Sequence, residues 1–402
     1  MAIGSAAPRS TPPAIRGGRP AFPEGLPLVR PSVPPTAGVL RDVARILEGG
    51  VLTNGPYVRA LEDRCAEYLG VRNCVAVSSC TSGLILVLRA FGLAGDVVVP
   101  SFTFAATVHA VSWNGLHPTF ADVHGTRLTL SADAVERAIG VRTSAILATH
   151  LYGAPCDVEG LVEVAARHGV PLFFDAAHAF GSRHGDAFVG AFGEAEVFSL
   201  SPTKVLVACE GGLVTTNDDA LAERCRIGRD YGHAGDYDCR FVGLNARMSE
   251  VHAAIALRSL DTLEDRISRR NELAWLYRDG LRAIPGIALP EVMDGDRSTY
   301  KDFTILVDPD AFGRDATWLA GALAAEGIET RRYYSPPVHR MRAYKRKGSA
   351  NGGLPATELA ASRVLTLPMW ADMTHDHVVG VVEAMDRLHR YAADRGVLGD
   401  AG

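Results

Sequence analysis

The chain has 402 residues, of which 47% are hydrophobic and 22% charged, with a net charge of −5. That length predicts one large domain plus a smaller one, and the composition permits a sizeable buried core. There is no basic run of the kind nucleic acid requires, so a nucleic-acid partner is not expected and an anionic substrate must be met by local groups rather than by a global positive field.

The seven cysteines (Cys65, Cys74, Cys80, Cys156, Cys209, Cys225 and Cys239) include no CxxC pair, which argues against a zinc ribbon or a thioredoxin-like site. No metal site is expected, and buried free thiols in a reducing cytoplasm are the simplest reading. Met1–Pro35 is rich in Pro, Gly and Arg and lacks the apolar core of a signal peptide, and no stretch has the apolar length of a membrane span.

Residues 1–20 read as a flexible arm. Helical periodicity runs over Val39–Leu47, ended by Gly49-Gly50, and over Val58–Tyr68, closed by Gly70. From residue 73 to about 216, short apolar runs alternate with helical segments. The runs are Cys74–Val77, Val97–Val99, Thr119–Ala121, Ala145–Thr149, Leu172–Phe174, Glu196–Ser199 and Gly212–Thr216, and several are apolar on both faces, as a sheet covered by helices requires. Helices are predicted over Gly83–Phe91, Thr107–Asn114, Ala132–Ile139 and Val158–His168. One long helix is predicted over roughly Ser249–Ala283. A smaller domain follows, with Phe303–Val307 and Arg331–Tyr334 as strands, Ala316–Glu326 as a helix and a last helix over Asp376–Tyr391. The predicted divisions are an arm at 1–20, a large domain at 21–265 and a small α+β domain at 266–402.

Five segments carry chemistry. Phe173-Phe174-Asp175-Ala176-Ala177-His178 ends an apolar strand in an acid, where open α/β sheets bind ligands. Asp175 there suits a cationic ring nitrogen, or caps the next helix. Phe198-Ser199-Leu200-Ser201-Pro202-Thr203-Lys204 ends a second strand in hydroxyls and a lone lysine. Lys204 is either a surface charge or, if buried, a nucleophile whose pKa desolvation lowers. Ser78-Ser79-Cys80-Thr81-Ser82-Gly83 before an apolar helix makes either an anion site or a capping cluster. Phe104, just after a strand, can stack on a flat ring or fill the core. Gly243-Leu244-Asn245-Ala246-Arg247 offers anion partners ahead of the long helix. Their order is informative: phosphate cradle, aromatic, strand-end Asp, strand-end Lys 29 residues later, then Asn and Arg. Pyridoxal 5'-phosphate (PLP) needs each of these: an anchored phosphate, a stacked ring, a carboxylate on its ring nitrogen and a lysine on its aldehyde carbon.

With these motifs in order, the sequence resembles the PLP-dependent sugar aminotransferases of the DegT/DnrJ/EryC1/StrS group. The resemblance rests on Leu52-Thr53-Asn54-Gly55-Pro56, the Thr81 region, Pro100 through Thr107, Asp175-Ala-Ala-His178, Ser199 through Lys204, Glu210-Gly-Gly212, Asn245 through Glu250 and Tyr334-Ser-Pro-Pro337, and it covers residues 24–392. It implies the type I aminotransferase fold, an α/β large domain with a mixed, mostly parallel sheet. By resemblance, Lys204 would carry the cofactor as a Schiff base and then shuttle the proton, with pyridoxamine phosphate as the intermediate form. Asp175 would pair with the pyridinium nitrogen, and His178 would sit beside the ring. Thr81, Ser82 and Ser199 would bind the phosphate, and Phe104 would stack. Asn245 would reach the phosphate from a partner subunit, making the active form a homodimer. Asn54, Gly55, Pro56 and Tyr334 would line the sugar-nucleotide cleft.

Within that family, Asp-Ala-Ala-His and the short Ala94-Gly95-Asp96-Val97 stretch look like the C4 nucleotide-sugar aminotransferases of the desosamine-pathway type. The implied reaction is transfer of an amino group from L-glutamate to dTDP-4-keto-6-deoxyglucose in antibiotic aminosugar biosynthesis. The rivals are a 3-keto sugar nucleotide or a keto-cyclitol as acceptor, and, in another class, a non-catalytic sensor on the same fold. A family 3-dehydratase carries His where Lys204 stands, which argues against that chemistry. Arg30, Arg229, Arg331 and Arg332 are candidates for holding the diphosphate.

Overall fold

The computed structural model describes residues 12–345 and 353–396. Part of the expected N-terminal arm, residues 1–11, lies outside the described residues.

The large sheet has seven strands: β1 (Asn73–Val77), β2 (Asp96–Pro100), β3 (His117–Ala121), β4 (Thr143–Thr149), β5 (Leu172–Asp175), β8 (Ala195–Ser199) and β9 (Gly212–Thr216), with a small hairpin of β6 (Arg183–His184) and β7 (Ala187–Phe188) outside it. The order is β1-β9-β8-β5-β4-β2-β3. β9 runs antiparallel to both of its neighbours and every other pairing is parallel. The fold is therefore the mixed, mostly parallel α/β architecture expected. Val75, Val97, Val99, Ala145, Leu147, Phe173 and Val214 are buried against the helices Cys80–Phe91 and Ala105–Trp113 on one side. Val98, Ile146, Ala148 and Phe174 pack under Ala132–Ala138 and Val158–His168 on the other. Burial on both faces explains the unbroken apolar runs, and each buried Val, Leu, Ile or Phe side chain contributes about 1.5–3 kcal/mol.

The smaller layer is an antiparallel sheet of β10 (Ile287–Ala288), β11 (Phe303–Val307) and β12 (Val364–Leu367). It packs with the helices Leu263–Leu281, Ala316–Ala325 and His375–Gly396, the last burying Val378, Val381, Met385 and Leu388. Leu26, Phe22 and Val29 join this cluster, and Leu26 bridges Ile328. Glu326, fully buried, accepts from the backbone N–H groups of Ala14 (2.8 Å) and Ala21 (3.0 Å) and pairs with Arg387 (2.6 Å). The N-terminal chain from Ala14 to Val29 is thus held on the C-terminal layer.

Two expected elements differ. The long helix is two, Glu250–Leu260 and Leu263–Leu281, broken at Asp261-Thr262. Thr262 leaves helical geometry, and Glu264 and Asp265 in the first turn of the second helix favour the new start. Arg331–Tyr334 is not a strand. Only Arg331 bridges the sheet, against Thr366, and the strand beside β11 is Val364–Leu367. The chain turns at Tyr334 because that residue is drawn into a cluster with Phe102 and Tyr152 on the large domain.

Candidate active site

The carboxyl ends of β1, β2, β4, β5 and β8 point to the same edge of the sheet, which is where open α/β sheets collect ligands. A cavity of about 320 Å³ opens there, lined by residues that include Thr81, Phe104, Asp175, His178, Ser199, Lys204 and Tyr334. Seven of the expected site residues thus meet in one place.

Asp175 ends β5 and is buried. Its carboxylate accepts from Thr107 Oγ1 (2.6 Å) and from the Ala177 N–H (3.1 Å), with Cys80 Sγ at 3.8 Å. Burial pushes its pKa up, against the pull of those bonds and of the Lys204 charge. A carboxylate in this state is stabilised by a cation brought to it. Lys204 lies half-buried in the loop that follows the neighbouring parallel strand β8, its backbone N–H bonded to Ser201 O at 3.0 Å. Burial, and then the neighbouring Lys301 charge, lower its pKa to about 8. That is the state of a nucleophilic amine rather than of a surface lysine.

His178 is buried and its Nδ1 accepts from the Tyr152 N–H (3.2 Å), which leaves the ring proton on Nε2. Burial, followed by the charges of Lys204 and Lys301, holds its pKa well below the usual value, so the ring is neutral. Ser79 caps the helix Cys80–Phe91, and Ser79, Cys80 and Thr81 line the cavity, so a helix N-terminus faces it. A Cβ at Gly212 would stand 2.6 Å from Cys80 N, so only glycine lets β9 approach this terminus. Phe104 stands 61% exposed at the mouth, 6.3 Å from the Tyr334 ring. A buried acid, a lysine of lowered pKa, a helix N-terminus and an exposed aromatic around one cavity fit PLP: Asp175 would take the ring nitrogen, Lys204 the aldehyde carbon, and Ser79–Thr81 and Ser199 the phosphate.

The remaining expected residues fall elsewhere. Ser82 does not line the cavity. Its hydroxyl is spent in the capping box, donating to Ser79 O at 2.8 Å and accepting from the Ser79 N–H at 3.0 Å. Asn245 is exposed and bridges Asp230, away from this chain's own cavity. The Asn54-Gly55-Pro56 loop is also outside it, fixed by the buried Glu250. That carboxylate accepts from the N–H groups of Gly55 (2.8 Å), Tyr57 (2.8 Å) and Val58 (2.9 Å). The four arginine candidates are committed to the scaffold or to the surface. Arg229 is buried against Glu62 and the Ala76 carbonyl, and Arg332 holds the carbonyls of Ala361 and Ser362. Arg331 pairs with Glu329, and Arg30 stacks over Trp370.

Sequence reasoning missed Lys301, Asp302, Tyr333, Thr103, Thr149 and His150, all on the cavity wall, and the part Thr107 plays on Asp175. The one available signal was Lys301-Asp302 immediately before an apolar strand.

The family model for the DegT/DnrJ/EryC1/StrS aminotransferases matches residues 36–386. The chain belongs to that family. It is a PLP-dependent aminotransferase. The erythromycin biosynthesis sensory transduction protein EryC1 of Saccharopolyspora erythraea is 40% identical, over 85% of this chain and 93% of that protein. A dTDP-3-amino-3,4,6-trideoxy-alpha-D-glucose transaminase of Streptomyces venezuelae is 37% identical over 85% and 90%. A dTDP-4-amino-4,6-dideoxy-D-glucose transaminase of Escherichia coli is 32% identical over 90% and 98%. Among solved structures, DesI crystallised with its TDP-sugar product superposes with a TM-score of 0.89 at 37% identity, covering 95% of this chain and 98% of that one. Among the described residues, no helix is long and apolar enough to cross a membrane.

Proposed function

We propose that this aminotransferase acts in aminosugar biosynthesis, moving an amino group from L-glutamate to C4 of a keto dTDP-sugar, dTDP-4-keto-6-deoxyglucose. The observation that carries the reading is the meeting of Lys204 and Asp175 on the wall of one cavity at the same edge of the sheet, in a chain so similar to an enzyme crystallised with a TDP-sugar product. PLP, when bound, supplies an electron sink for the charge that develops on the donor's α-carbon.

The chain's residues supply the rest. The Asp175 carboxylate would hold the ring nitrogen protonated, and Thr107 and the Ala177 N–H would keep that carboxylate aimed. Neutral His178 would lie along the ring without competing for its charge. The Lys204 amine would bind the aldehyde carbon at rest and carry the proton from the donor's Cα once released, a step typically worth roughly 10²–10⁴-fold. Thr81 and Ser199 would hold the phosphate, Phe104 would cover the ring and Tyr334 would line the substrate side. We infer that Asn245 and the Asn54–Pro56 loop serve the cavity of a second subunit, because in their own chain they stand outside it. The enzyme would then be a homodimer with shared sites. Its seven cysteines are all free, which suits a cytoplasmic setting.

C3 amination is the second reading, supported by the S. venezuelae relative. Mixing the purified, PLP-loaded protein with L-glutamate and then with dTDP-4-keto-6-deoxyglucose or a 3-keto dTDP-sugar separates the two. The expected result is a glutamate-dependent change in cofactor absorbance, reversed by the 4-keto sugar. Reversal by the 3-keto sugar alone moves the reaction to C3, and no response to glutamate overturns the assignment.

A further inference from the structure

A second lysine and a second acid line the same cavity. Lys301 and Asp302 are each 7% exposed, and Lys301 Nζ lies 2.7 Å from Asp302 Oδ1. They stand immediately before β11 of the smaller layer, yet they reach the cleft of the large domain. Their segment is clamped there: Thr299 N–H donates to Gly153 O (3.0 Å), Asp302 N–H to Tyr152 O (3.3 Å), and Thr299 Oγ1 to His178 O (3.0 Å). Buried Arg270 secures it from behind, donating to Tyr300 O at 2.9 Å. Gly153, with φ +101°, makes the approach possible, since a Cβ there would stand 2.5 Å from Thr299 Oγ1 and 2.9 Å from Lys301 N.

The pair is only half satisfied. Asp302 Oδ2 is buried without a hydrogen-bond partner. The nearest ring nitrogen, His178 Nδ1, is 4.0 Å away and is already an acceptor for the Tyr152 N–H, so it has no proton to give. Leaving a buried carboxylate oxygen unpaired is costly, and a donor from a ligand would relieve it. Lys301 Nζ has further N–H groups beyond the one facing Oδ1. The dyad therefore offers one acceptor and at least one donor side by side with no net charge. That matches a hydroxyl, which both donates and accepts, better than it matches a carboxylate or a phosphate.

We infer that Lys301 and Asp302 together read a hydroxyl on the sugar ring, the one on C3 next to the reacting C4: Asp302 Oδ2 accepts its proton and Lys301 Nζ donates to its oxygen. The inference rests on the sugar-aminotransferase reading above and adds a specificity determinant to it.

The test is binding to the PLP-loaded protein by titration calorimetry. The ligands are dTDP-4-amino-4,6-dideoxyglucose and its counterpart lacking the C3 hydroxyl, against wild type, Asp302→Asn and the charge-free double variant Lys301→Met with Asp302→Leu. The readout is the ratio of the two Kd values on the same protein, so losses from folding or cofactor loading cancel. Wild type is expected to prefer the hydroxylated ligand roughly 10- to 100-fold, as a charge-assisted hydrogen bond allows. In both variants the ratio should fall to within about threefold. A preference that survives in the double variant overturns the inference. So does a wild type that responds to glutamate and binds both ligands equally. A wild type that ignores glutamate and binds neither ligand overturns the sugar-aminotransferase reading itself.

Discussion

Two buried acids, Glu250 and Asp302, sit on opposite sides of the question of what a charge inside this protein is for. Glu250 is 1% exposed and both of its oxygens are used, holding the N–H groups of Gly55, Tyr57 and Val58. It pins one loop and starts one helix. Asp302 is as well buried but has an oxygen with nothing bound to it, on the wall of a cavity that also holds Lys204 and Asp175. Burial alone does not distinguish them; satisfaction does. A buried charge whose valences are filled by its own chain is scaffold, whereas one left open toward a cleft is waiting for a ligand.

That contrast can be broken or sharpened by substitution, beginning with the largest effect. Lys204→Ala removes both the attachment point and the proton carrier. Steady-state transamination should fall by about 10⁴-fold or more, with loss of the visible absorption of the lysine-bound cofactor and little change in thermal stability. Asp175→Asn removes the charge but keeps the shape, and kcat should drop by roughly 10²–10³-fold with cofactor still bound. Glu250→Ala should act through the fold instead. Three N–H groups lose a charged acceptor, so denaturant unfolding should show a loss of about 2–3 kcal/mol, with any loss of activity following from the released Asn54–Pro56 loop and showing in KM more than in kcat. A fall in kcat without a stability loss would mean that Glu250 does more than hold the loop.

Thr107→Val should cost about tenfold in kcat, because the Asp175 carboxylate loses its shortest hydrogen bond. The smallest effect is on pH. Lys204 is a base whose pKa is lowered to about 8, so its amine is neutral above that value and protonated below it. The rate at which apoprotein captures PLP should level off above about pH 8 and fall as pH drops below it. Lys301→Met removes a like charge that helps lower the Lys204 pKa, so the midpoint should move upward; an unchanged midpoint would mean the two amines do not feel each other.

Much of this fold was legible because its strands are locally self-declaring. Runs such as Ala145–Thr149 and Leu172–Phe174 are apolar on both faces, and a sheet clothed by helices leaves few other readings. The places of Asp175 at the end of β5 and of Lys204 in the loop after β8 were legible for the same reason. What escaped was set by contacts distant in sequence. Thr107 meets Asp175 across 68 residues, and nothing in its own helix announces that role. Lys301-Asp302 reads as an ordinary polar run before a strand until Gly153 admits it to the cleft. The hydroxyl of Ser82 was assigned to a ligand, but local capping claimed it first. Arg331–Tyr334 has the composition of a strand, yet Tyr334 gains more by packing on Phe102 and Tyr152 than by continuing a ladder.

With two lysines on one cavity wall, the most direct test is to ask which of them holds the cofactor. Reducing the PLP-loaded protein with borohydride and mapping the phosphopyridoxyl group by peptide mass spectrometry answers this. The label is expected on Lys204 alone. A label on Lys301, or on any lysine outside the cavity, would contradict that assignment.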